Sequence, residues 1–174
     1  MSRWLRRAGH GRTADGAFVT WTVAEGRRGR RWREVVTVGE GIRSSLLLEL
    51  DAERRFSHLE LSTEAGLLTL HPEGDGTLHG NAVTRAGVAH VAGLAWNVDG
   101  AILLEGSAVC RAAAVRDGSS GGEIVGLTIE LDLRLGLESA LVDPIEWADA
   151  DGLPMLVDRA SWPLELDEEW DESG

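Results

Sequence analysis

Apolar and polar residues alternate along much of the chain. Val19, Trp21 and Val23 fall on one side of an extended segment at 17–24, with Thr20 and Thr22 on the other. Over 32–38, Trp32, Val36 and Val38 share a side. Leu46, Leu48 and Leu50 follow the same rule, and Leu59 and Leu61 alternate with His58 and Glu60. Further on, Leu127, Ile129, Leu131 and Leu133 alternate with Thr128, Glu130, Asp132 and Arg134. A period of two is the signature of strands with one buried face. No long segment shows the helical period. The ambiguous stretch is Ser107 to Arg116: Ala112-Ala113-Ala114 favours a helix by propensity, while the neighbouring strands favour a further strand, the reading adopted.

Turn signals separate these segments, among them Asp15-Gly16, Gly39-Glu40-Gly41, Gly74-Asp75-Gly76, Ala86-Gly87 and Asp99-Gly100. Most neighbours lie about 10–13 residues apart, close to the spacing of antiparallel sheets. Such a series predicts an all-β protein, an antiparallel meander forming an up-and-down barrel or curved half-barrel, with a two-sheet sandwich as the alternative. Closing or curling the sheet hides its edges. Residues 16–145 are assigned to this single domain. Residues 1–15 read as a flexible basic N-terminus, and 146–174 as an acidic extension partly packed on the domain through Trp162 and Leu164.

Composition narrows the class. Hydrophobic residues at 43% and charged residues at 26% fit a globular domain and exclude a disordered chain. All seventeen basic residues are arginine, with no lysine, the mark of a GC-rich coding sequence. Their placement is uneven. Residues 1–43 hold ten arginines against four acids, whereas 143–174 hold one against eleven. A net charge of −12 repels phosphate backbones, so no nucleic-acid partner is expected. Neither a signal-type apolar stretch nor a run near the ~18 residues of a membrane span is present, which suggests a cytoplasmic protein without a transmembrane segment.

Candidate chemistry is sparse. Trp21, Trp32 and Trp96 lie in strands and would line an apolar cavity or fill a core. Small residues between Ala82 and Ala114 would leave room inside a barrel for a ligand, or reflect coding bias in a filled core. Two hairpins would set His71 across from His79 and His90 across from Asn81. Those histidines then form a solvated outer face, a polar patch in a cavity or, least favoured, a metal site. No catalytic motif is found, and no cofactor or metal is expected. The single Cys110 reads as a small buried hydrophobe.

Several pieces resemble a bacterial family of glycolipid-binding proteins with curved, lipoprotein-carrier-like β-barrels. They are Val19 to Glu25, then Arg31-Trp32-Arg33, then Gly76-Thr77-Leu78-His79-Gly80-Asn81, and Trp96-Asn97-Val98-Asp99. The likeness spans about residues 16–135, and that family's Thr-Pro-Phe-Thr-Asn and Pro-Ile-Arg-Arg segments are absent here. The resemblance implies non-enzymatic binding of an apolar or glycolipid-like small molecule in a β-barrel cavity. On the residue pattern, the ligand-binding candidates are Trp21, Trp32, Arg33, His79, His90 and Trp96, with Arg33 facing an anionic head group at the rim. Two alternatives stand beside it. One is a protein-interaction module using the basic N-terminal segment and acidic tail. The other is a small barrel enzyme with a histidine acid or base.

Overall fold

Alternating burial generates the main sheet. In β2 (Phe18–Gly26), Val19, Trp21 and Val23 are buried while Thr20 and Thr22 are exposed. The same alternation runs through β3 (Gly29–Val38) and β4 (Gly41–Leu50), and continues less strictly in β5 (Phe56–Thr63), β6 (Gly66–Pro72) and β7 (Thr77–Thr84). With β1 (Leu5–Arg12) and β8 (Gly87–Ala95), these strands form an antiparallel meander in chain order, left open and not closed into a barrel. The computed structural model describes residues 5–13, 15–114, 122–142 and 165–167. Within those bounds the fold is all-β, as the alternation predicts, with an open sheet in place of a closed cylinder.

Tight turns set the registers. Glu64 and Ala65 connect β5 to β6, and Gly66 follows with φ +147°. A Cβ on Gly66 would lie 2.0 Å from the Val83 carbonyl, so glycine is required both by conformation and by space. Bulges interrupt the pairing at Val36/Thr37, Glu49/Leu50 and between Leu78 and Gly80. The first of them leaves Arg43 of β4 without a partner on β3, and Val38, the last residue of β3, is exposed.

A second layer covers the inner face. It consists of β9 (Ala101–Leu104), α1 (Ala108–Ala114), β10 (Gly122–Ile129) and β11 (Leu135–Val142). β9 and β10 pair in parallel, and β10 and β11 antiparallel. Trp21, Trp32 and the buried leucines of β4 to β7 pack in one core with Ile102, Leu104, Val109, Cys110, Leu127 and Ile129. Residues 108–114, read from their neighbours as strand, are helix. Ser107 caps them by accepting the Cys110 amide on Oγ at 3.1 Å, and the three alanines then follow their own propensity.

The N-terminal segment also differs from the reading as a flexible arm. Leu5–Arg12 pairs with β2 along its whole length, from Leu5↔Glu25 to Arg12↔Phe18. On its free side lies β12 (Glu165–Asp167), with Ala8 opposite Asp167 and His10 opposite Glu165. Part of the acidic tail and the basic N-terminal strand are therefore neighbours in one sheet.

Candidate functional site

Among the described residues of β2 to β4, the inner face of the meander is polar at two places, one of them where β3 passes Glu34. Here Glu34 and Ser44 are buried beside Val19 and Val36, below the start of α1. The opposite end is closed differently: buried Arg30 pairs with Glu25 at 2.8 Å and covers the Trp32 ring, and Arg54 joins Glu25 at 2.7 Å.

Between the Glu34 end and the second layer lies a pocket of about 460 Å³. Val19, Val36, Leu104 and Leu131 supply apolar wall, and Glu34, Ser44 and Ser107 supply buried polar floor. Arg12, Arg43, Arg111, Asp15 and Glu105 stand around the more exposed rim. A volume of this size falls in the range of small-molecule pockets, and the lining mixes apolar wall with polar and charged groups.

Glu34 is 2% exposed. Its Oε2 accepts the Val109 amide at 3.3 Å, while Oε1 has no hydrogen-bond partner among the described residues. Burial pushes its carboxyl up from the ordinary 4.5, against the opposing pull of Ser107 and the amides of Val109 and Ala108. Asp15 goes the other way. The Thr13 hydroxyl donates to its Oδ1, and Arg43 reaches its Oδ2 at 2.7 Å. These contacts, the Thr13 bond first, hold the Asp15 carboxyl down at about 2. One pocket thus carries two carboxyl groups pushed apart in acidity by burial and by pairing.

The six residues singled out from sequence do not gather at this pocket. Trp21 and Trp32 are together, ring centroids 6.4 Å apart, but are 1% and 0% exposed within the core. Arg33, following Trp32, points to the opposite, exposed face. Trp96 is partly buried and meets Phe56 edge-on at 5.5 Å. His79 does lie across from His71, and His90 across from Asn81, with His90 Nδ1 2.6 Å from Asn81 Oδ1. His90 is exposed and His79 half-buried beside Thr77, on the face away from Leu78 and Gly80. Among the described residues no histidine, cysteine or acid group is arranged to hold a metal.

The pocket residues escaped the sequence reading, although one signal was there. Trp32, Glu34 and Val36 share the inward side of β3, and an acid between two buried apolar residues is out of place on a plain core face. Arg43 and Arg111 carry no such mark, since their meeting depends on the second layer. Compared with known protein families, curated proteins and solved structures, the chain gives no match.

Proposed function

We propose that the protein is a non-enzymatic binder of a small amphiphile, apolar or glycolipid-like, held in the pocket between β2–β4 and the start of α1. The observation that carries this reading is the pairing of an apolar wall with a polar, mostly buried floor in one pocket of about 460 Å³. An apolar segment against Val19, Val36, Leu104 and Leu131 would gain ~25 cal/mol per Å² of surface buried. Its polar end would meet the hydroxyls and arginines, which supply the oriented hydrogen bonds an apolar wall cannot.

Octyl glucoside titrated by calorimetry tests the reading. Binding is expected in the parent and is expected to weaken by about tenfold or more in Ala108→Phe, whose ring would occupy the pocket. Equal binding in both, or no binding of octyl glucoside or of any other octyl amphiphile to the parent, would end this reading. An interaction module built on the basic N-terminal segment and the acidic tail would then lead, and a partner for it would have to displace β12 from β1.

A further inference from the structure

We infer that the head group taken by this pocket is an oxyanion, a carboxylate or phosphate, engaged by Arg43 together with Arg12 and Arg111 at the rim. This inference rests on the amphiphile-binding reading and adds the charge of the ligand to it.

The first support is the balance of charge around the opening. In a chain of net charge −12, three arginines stand here against Asp15, Glu105 and Glu34. Glu34 lies on the buried floor, which leaves three arginines against Asp15 and Glu105 among the described rim residues. Glu105 in turn lies within the field of Arg134. The rim borders apolar wall.

The second support is that the site already binds a carboxylate of its own. Asp15 is engaged by Arg43 at 2.7 Å through Nη2, by the Thr13 hydroxyl and, at 3.5 Å, by the Ala17 amide. Arg12 braces the same loop by donating from Nη1 to the Gly16 carbonyl at 3.1 Å. A guanidinium carries five donors in a planar fork, so one contact to Asp15 leaves Arg43 the capacity to bind a second oxyanion. Asp15 is thus a resident competitor for the ligand's head group.

Four compounds with tails within one methylene of each other separate the possibilities: octanoate, octyl phosphate, octanol and octyl glucoside, each titrated by calorimetry into the full chain, Asp15→Asn and Arg43→Gln. The better of the two anions should bind about tenfold or more tightly than octanol and octyl glucoside, as a charge-assisted pair requires. The ratio of octanoate to octyl phosphate then tells carboxylate from phosphate. Arg43→Gln should erase most of the anion's advantage over octanol, with an unchanged thermal melt showing that the variant is folded. Asp15→Asn should tighten the anion several-fold, and more than it changes octanol. Octanol or octyl glucoside binding as well as both anions overturns the inference and leaves the amphiphile reading standing. If none of the four binds, both fall.

Discussion

The Val109 amide donates to the carboxyl of Glu34 across 75 positions of sequence, joining the first turn of α1 to the middle of β3. The first amides of a helix have no partner inside it and carry its partial positive charge. Ser107 serves one of them from the adjacent position, and Glu34 serves another from a different layer. The floor of the pocket is therefore also a stitch between the two layers.

Replacing Glu34 by Gln should change how stability varies with pH. A carboxyl raised above 4.5 in the folded state binds its proton more tightly folded than unfolded. Its contribution is full below the unfolded value and is lost as pH rises through the folded value. Glutamine can still accept the Val109 amide but cannot ionise. The stability of Glu34→Gln relative to the parent should thus increase from about pH 4 upward and level off once Glu34 has ionised. Thermal melts across that range check it, and a constant difference would contradict the assignment.

Asp15 is expected to titrate near 2 in the folded protein, well below its ordinary 3.8. Its contribution to stability has the opposite sign of pH dependence: it is present above 3.8 and is lost as pH falls through about 2. The Thr13 hydroxyl bond and the hydrogen bond and charge of Arg43 both lower it, so Thr13→Val and Arg43→Gln should each return the carboxyl toward 3.8. Carbon-detected NMR of the side-chain carboxyl reads both, and a value left near 2 in either variant would show that its contact does not hold the carboxyl down.

Among the tryptophans, Trp32→Ala should cost ~3–5 kcal/mol, the range for emptying a large buried site. Trp96→Ala should cost less than half as much, since Trp96 is only partly buried against Phe56. Trp32→Phe should be milder than Trp32→Ala, because the indole Nε1 has no hydrogen-bond partner to lose among the described residues. Urea unfolding ranks the three, and equal losses at Trp32 and Trp96 would mean that Trp96 belongs equally to the core.

Two glycines provide a steric contrast. A Cβ on Gly80 would sit 1.8 Å from the Thr69 carbonyl across the β6–β7 pair, whereas one on Gly74 would meet open space. Gly80→Ala should therefore lower the melting temperature sharply and Gly74→Ala hardly at all. Similar melts for both would show that β6 and β7 shift apart freely.

The meander was legible because each central strand buries one face, so Leu46, Leu48 and Leu50 or Leu59 and Leu61 announce themselves by period. Turn length alone placed His71 opposite His79 and Asn81 opposite His90. β1 was not legible: Leu5-Arg6-Arg7-Ala8-Gly9-His10 has little apolar alternation, and its inward Gly9 is small because the Trp21 ring lies against it. Nor could the pocket be read. Trp21 and Trp32 do share one face, but whether that face looks onto space or onto side chains is decided by β9, α1 and β10. What those elements cover depends on contacts far apart in sequence.

The connections of the two layers also imply an order of assembly. Successive strands from β2 to β8 are joined by short turns, so every pairing among them closes a small loop. The parallel pair β9–β10 must instead enclose residues 105–121 before it gains anything. Loop-closure entropy delays pairings of that kind. During refolding the hairpins should therefore recover first and the layer carrying α1 should dock last. The chamber between the layers comes into being at that final step, so under the proposed amphiphile binding, uptake of octyl glucoside should recover later than the β signal.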